Sequence, residues 1–307
     1  LNWQGKSLTQ IEKFAEFRDY LEKKFGVKWP VTHFINPRYW LHQPHNGLNE
    51  LYKAYRPDTD EVGVLVHCWH DLVRAAGVKP ITGHSLTRVD DGFSTPLGLY
   101  SAKAVNDIIA FHKMLLLCQL PHARLGGFRC GCGLANDKVL TGVMHNQFSY
   151  DSSATPPAIV SSGYSQYSSG TGRNIRGHAS PNKGYRLYHQ LISLLWGYQE
   201  NTLPNECKNE LIKLWNPQPS ITPMSQPFKL TQGKYQLWLL PNNGGMTDYI
   251  NSRYLINTFQ RLQHKAAYSQ LQHLNIGCQL ETITYGKKAL LPFVEYLVGE
   301  EDHQFAK

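Results

Sequence analysis

His67, Cys68, His70 and Asp71 fall within five consecutive positions. Imidazole nitrogens and carboxylate oxygens are the usual ligands of Zn²⁺ and similar divalent ions, so two His and an Asp this close are candidate metal ligands. A metal there would lower the pKa of a bound water toward neutrality and polarise a substrate carbonyl. The same residues also read as hydrogen-bonded structural groups closing a strand. Beside Arg129, Cys130-Gly-Cys132 could form a thiolate site, because a neighbouring cation lowers a thiol pKa, or it is a packing pair. Val89-Asp90-Asp91-Gly92 reads as an acid pair or as an Asp-Gly turn. Asp151, Asp248 and Glu281 stand at predicted strand ends and could serve a glycosidase-type carboxylate pair. His84, His145 and His178 share no spacing and read as structural or exposed.

The His cluster follows Glu61-Val-Gly-Val-Leu-Val66, an apolar run of strand length. Strands of a parallel sheet are buried on both faces and read this way, and α/β folds place their ligands beyond the carboxyl ends of such strands. Upstream, residues 1–5 read as the tail of a strand. Ile11, Phe14, Phe17, Leu21 and Phe25 then recur at three and four, which predicts a helix from Thr9 to Phe25 with a Thr9/Glu12 capping box and Gly26 as its stop. Strands are expected at 30–36 and 80–84, short helices at 48–55 and 135–144, and a longer helix over 101–118. A strand-like stretch at 147–151 follows. Further on come a helix over 187–198, a strand from Trp238, a helix over 248–268, a strand over 274–283 and a closing helix over 289–297. Alternation of β and α on this scale argues an α/β barrel or a doubly wound sheet.

The totals fit a single domain spanning residues 1–307. Apolar residues make up 41% and charged residues 18% of the chain, an ordinary globular composition. The formal charge of +8 comes without a dense basic run or a nucleic-acid motif, so nucleic acid is not an expected partner. The six cysteines are scattered, and no run of 18 apolar residues predicts a membrane span. The chain starts at Leu1 without a Met, which reads as an upstream segment processed or trimmed; a signal peptide could have been that segment, and its absence here excludes nothing. Residues 161–186 are dense in Ser, Gly, Tyr and Asn and form an expected long insertion, either a surface loop or a binding element.

Several stretches in order resemble the polysaccharide deacetylase family of chitooligosaccharide and peptidoglycan deacetylases. They are Asp60-Glu61-Val-Gly with the His segment, Gly127-Phe-Arg129, Asn146-Gln-Phe-Ser-Tyr150-Asp-Ser-Ser153 with Pro156, then Leu240-Pro-Asn-Asn-Gly-Gly245 and Ile276-Gly-Cys-Gln279. The resemblance implies a distorted (β/α) barrel in which an Asp and two His hold a divalent metal, zinc most naturally. A second Asp would be the base, a late His the acid, and an arginine would orient the catalytic carboxylate. Carried over by position, His67 with His70 or Asp71 would hold the metal. Asp71 would also join the catalytic set, and Arg129 would be the orienting arginine. Anchored on Glu61 and Gly63 the second motif keeps only His67; anchored on its His spacing it pairs His67 with Asp71.

Where the first motif has aspartates this chain has Asn2-Trp3-Gln4, and where the late His should stand it has Cys278 or Gln279. Trp69, Arg176, Tyr185 and Asn242 are the expected sugar contacts, through aromatic stacking and hydrogen bonds. Two functions follow from the resemblance. One is metal-dependent removal of an N- or O-acyl group from an amino-sugar polymer. The other is a deacetylase-fold protein that binds carbohydrate without turnover. A periplasmic or secreted location is expected with either, and a cytoplasmic one stays open.

Overall fold

The computed structural model describes residues 1–5, 8–26, 28–42, 51–84, 89–154, 224–247, 250–266 and 272–299. The expected insertion at 161–186 and helix at 187–198 lie outside these residues. The chain folds as mixed α/β, with a mostly parallel seven-stranded sheet flanked by helices. Strands β1 (Asn2–Trp3), β2 (Thr32–Ile35), β3 (Glu61–Val66), β4 (Leu125–Cys130) and β5 (Tyr150–Asp151) lie side by side in chain order, all parallel. β7 (Tyr235–Leu239) pairs parallel with β5, and β6 (Phe228–Gln232) pairs antiparallel with β7. A short parallel pair, β8 (Gly245–Met246) with β9 (Ile276–Gly277), sits apart. Just past β9, Gln279 bridges in parallel to Asn2, and the Asn2 amide N–H donates to the Cys278 carbonyl at 2.7 Å.

The helices are α1 (Ile11–Phe25), α2 (Arg38–His42), α3 (His70–Ala75), α4 (Ala102–Gln119), α5 (Asp137–His145), α6 (Ser252–Ala266) and α7 (Ile283–Gly299). Helix α1 buries Ile11, Phe14, Phe17 and Leu21 as its periodicity predicts and ends on Gly26 at φ 68°. Its N-cap is Gln10, with no side-chain cap bond, so the Thr9/Glu12 box does not form. The strand expected at 80–84 is absent: the Ile81 N–H is taken by the Tyr100 hydroxyl at 3.1 Å, not by a neighbouring strand. The strand expected over 274–283 reduces to Ile276–Gly277, because a 3₁₀ turn at Leu280–Thr282 leads directly into α7.

Side chains inside the sheet show how strongly it curls. Tyr150 on β5 donates its hydroxyl to Glu61 on β3 and lies 3.5 Å from Thr32 Oγ1 on β2. Three strand steps in a flat sheet span roughly 14 Å, further than a tyrosine reaches. The crossing passes over β4 at Gly127, where a Cβ would collide with the Tyr150 ring. Gly127→Ala is therefore expected to cost about 1–3 kcal/mol by overpacking, read as a lowered urea midpoint with an unchanged slope.

At the opposite end of the strands, Arg18 on α1 forks onto Asp60 at 2.6 and 2.7 Å, and His33 Nε2 meets the same carboxylate at 3.0 Å. All three are buried, and backbone N–H groups of Val31 and Arg56 donate to Asp60 as well. This network ties the first helix to the starts of β2 and β3.

Candidate functional site

At their C-terminal ends the parallel strands deliver amides, hydroxyls and one deeply placed cation. Alternation along β4 points Gly127 and Arg129 to one face and Phe128 and Cys130 to the other. Arg129 is 5% exposed. Its Nε donates to the Ser152 carbonyl at 2.9 Å and Nη2 to Ser152 Oγ at 2.6 Å. Nη1 donates to Asn2 Oδ1 at 3.0 Å, which carries the contact from β4 to β1. The guanidinium lies 4.4 Å over the Phe34 ring. Burial pushes its pKa down to about 10, opposed by the negative potential of Tyr150 and Asp151. These three acceptors are all neutral oxygens.

Asn2 is held on both sides. Its Oδ1 takes Arg129, its Nδ2 faces Met246 Sδ at 3.8 Å, and its backbone joins Cys278 and Gln279 just past β9. Asn275 extends the network by donating to Ser152 Oγ at 2.8 Å, and its own N–H donates to Asn243 Oδ1 at 2.8 Å. Asn243 in turn donates to the carbonyls of Ser225 and His273. Asn36, just past β2, donates to the His67 carbonyl at 3.3 Å. Asn242 is 1% exposed, and its Oδ1 accepts no hydrogen bond among the described residues. Sequence reasoning missed Ser152, Asn243 and Asn275; the available signal was the Asn pair just past the strand expected from Trp238, and nothing local marked Ser152 or Asn275.

His67 directly follows β3 and, continuing its alternation, lies on the same face as Arg129. Its Nδ1–H donates to the Phe93 carbonyl at 2.8 Å, and the two rings stack at 4.1 Å. That bond sets the tautomer and leaves Nε2 as the acceptor nitrogen of the neutral ring. The partner loop is Val89–Phe93, seated by Gly92 at φ 86°, where a Cβ would collide with the Cys68 carbonyl and lie 2.6 Å from His70 Cδ2. Here the Asp-Gly turn is realised: Asp91 Oδ1 accepts from the Phe93 N–H at 2.9 Å, and the Asp91 carbonyl accepts from the His70 N–H.

The neighbours of His67 turn away from it. His70 Nε2 donates to the Ile81 carbonyl at 3.2 Å and stands 3.7 Å from Asp90 Oδ1. Asp71 Oδ2 receives Arg38 Nε at 2.8 Å and His42 Nε2 at 2.6 Å. Burial would raise the Asp71 pKa, but the His42 and Arg38 hydrogen bonds hold it below the usual carboxylate range. Among the described residues no group of three or more His, Cys, Asp or Glu side chains is arranged to hold a metal ion. Among the described residues, the His67 imidazole has no second imidazole, thiolate or carboxylate grouped with it into a ligand set, so this arrangement fits zinc poorly.

Trp69 is 5% exposed, with the Arg38 guanidinium 3.9 Å over its ring, Phe93 tilted against it at 5.0 Å, and its Nε1–H donating to the Gln4 carbonyl at 3.0 Å. It thus braces the end of β1. Glu281 Oε1 accepts from the Gln4 N–H at 3.1 Å and from the Tyr39 hydroxyl at 3.2 Å. Asp151 is buried on the other face, bound by Ser153 N–H at 3.0 Å and Ser153 Oγ at 2.5 Å, and burial pushes its pKa up to about 6 against the pull of those bonds and of Arg129. Asp151 and Glu281 therefore occupy different surroundings and do not form a carboxylate pair. Asp248, Arg176 and Tyr185 lie outside the described residues. No helix among the described residues is long and apolar enough to cross a membrane. In comparisons with known proteins, the chain matches no known protein family and no curated protein.

Proposed function

We propose that the chain is a distorted β/α barrel of the polysaccharide deacetylase type that binds an amino-sugar polymer at its strand ends without turning it over. The observation that carries this reading is the Arg129–Asn2 pair. In the resembled family an arginine orients a catalytic carboxylate; here the arginine's fork ends on an amide. An amide neither takes up a proton near neutral pH nor lends negative charge to a metal, so both uses of that position are lost. Amide side chains nevertheless gather at this end of the sheet, at Asn2, Gln4, Asn242 and Asn275, and the Asn242 Oδ1 accepts no hydrogen bond among the described residues. Amide and hydroxyl groups of this kind recognise the acetamido and hydroxyl groups of a sugar. The curl of the sheet and the Asn2–Gln279 bridge favour closure into a barrel. A polymer of the cell envelope and a periplasmic or secreted location go with this reading.

A second reading keeps hydrolysis of an N- or O-acyl group with zinc on His67. It rests on the Nδ1–H tautomer that leaves His67 Nε2 as an acceptor. It requires His70 and Asp71 to give up Ile81, Arg38 and His42. One experiment separates the two: N-acetylglucosamine hexamer is offered to the purified chain, and binding by calorimetry, acetate release and zinc content are followed together. Saturable binding with no acetate release, with or without added Zn²⁺, and weaker binding by Arg129→Met is the expected result. Acetate release accompanied by about one zinc per chain, lost in His67→Ala, overturns it in favour of hydrolysis.

A further inference from the structure

A second surface, away from the strand ends, has the chemistry of a binding platform. In the β6–β7 hairpin, alternation sends Leu237 and Leu239 inward, where they are buried, and sends Lys229, Thr231, Gln236 and Trp238 outward, where they are exposed. The register sets Lys229 opposite Trp238 and Thr231 opposite Gln236, so the four form one continuous patch. Trp238 is 47% exposed, and Lys229 Nζ stands 5.8 Å from its ring centroid. At the turn Lys234 Nζ lies 5.4 Å over the Tyr235 ring. The stretch 228–239 has two Lys and no Asp or Glu, and neither lysine meets a carboxylate among the described residues.

We propose that this hairpin face binds an anionic polysaccharide, such as a polymer of uronic acids. The indole offers a flat apolar plate to the C–H face of a sugar ring, and Lys229 at its rim meets the carboxylate. Gln236 and Thr231 supply hydrogen bonds to hydroxyls. The occupant follows from charge: the patch is purely cationic and the whole chain carries +8. A single-stranded nucleic acid fits less well, because such strands are held by successive aromatic planes along a basic groove, and among the described residues this hairpin face presents one exposed plane, Trp238.

The test is affinity electrophoresis of the full chain through gels containing polygalacturonate, neutral dextran or oligothymidylate. Retardation by polygalacturonate and not by dextran is expected. Trp238→Ala should weaken it roughly fivefold, the size of one aromatic contact, while Trp238→Phe keeps most of it. Lys229→Gln should weaken binding and flatten its salt dependence. Equal retardation of Trp238→Ala and the parent, equal retardation by dextran, or stronger binding to oligothymidylate would overturn the proposal. Trp238→Ala should keep the parent melting temperature and its affinity for N-acetylglucosamine hexamer, which separates failure here from failure at the strand ends.

Discussion

Asp60→Asn is expected to destabilise the fold by about 3–5 kcal/mol, the usual consequence of removing one partner of a buried ion pair. The side chain volume hardly changes, so the loss comes from charge. Arg18 would remain buried with its fork on a neutral amide. Urea unfolding read by tryptophan fluorescence measures the effect. The double variant Asp60→Asn, Arg18→Met should recover part of the loss, because both charges then leave the interior together. Additive losses in the double variant would show that the network owes little to the ion pair itself.

The same network, together with the separately buried His112 on α4, makes the fold acid-sensitive, and the sign follows from the surroundings of each group. Burial alone would push the Asp60 carboxyl up, but its hydrogen bonds from His33, Arg18 and the Arg56 N–H hold it well below the usual carboxylate range. His33 and His112 are both pushed down to about 4, first by burial. In the unfolded chain these His titrate near 6.5. Between that value and about 4 the unfolded state binds more protons than the folded state, so stability is fully present above pH 6.5 and is lost as pH falls. Each His contributes on the order of 2–3 kcal/mol to that fall, and Asp60 adds its share below about pH 4. Urea midpoints measured from pH 7.5 to 4.5 should decline steadily. A flat profile would contradict neutral burial of the two rings.

Gly92→Ala is expected to cost about 3 kcal/mol, combining a left-handed backbone penalty with a steric collision. The new Cβ would enter the space of the Cys68 carbonyl, so the Val89–Phe93 loop would have to lift. Phe93 would carry its carbonyl and its ring away from His67, freeing the imidazole to turn. The signature is a shift of the His67 ring resonances together with weakened hexamer binding. Gly77→Ala makes a control: it too has positive φ, yet its Cβ would meet nothing within 4 Å. It should pay the backbone penalty alone and leave the site intact.

His67, His70 and Asp71 show why adjacency along the chain misleads about a site. His67 lies just past a strand, while His70 and Asp71 open α3. Successive helical residues point about 100° apart, so His70 and Asp71 diverge, one to the Ile81 carbonyl and the other to Arg38 and His42. The Pro80–His84 stretch has the composition of a strand, yet the Tyr100 hydroxyl claims its Ile81 N–H from 19 positions away. Nothing local announces such a partner.

From its residue pattern alone, the chain determined that it would be α/β and where its central strand and first helix lie. The Glu61–Val66 run and the 3–4 spacing of Ile11 to Phe25 are local codes for burial, and burial of apolar surface dominates folding. Arg129, the Asn2-Trp3-Gln4 stretch and Asn242 were likewise legible as residues of interest. Only the tertiary structure decided what they touch. The pairing of Arg129 with Asn2 joins residues 127 positions apart, across a sheet whose curl shows in Tyr150 passing over β4 at Gly127. Close packing across that curl, which no stretch of sequence encodes by itself, brings the amides of separate strand ends around one buried cation.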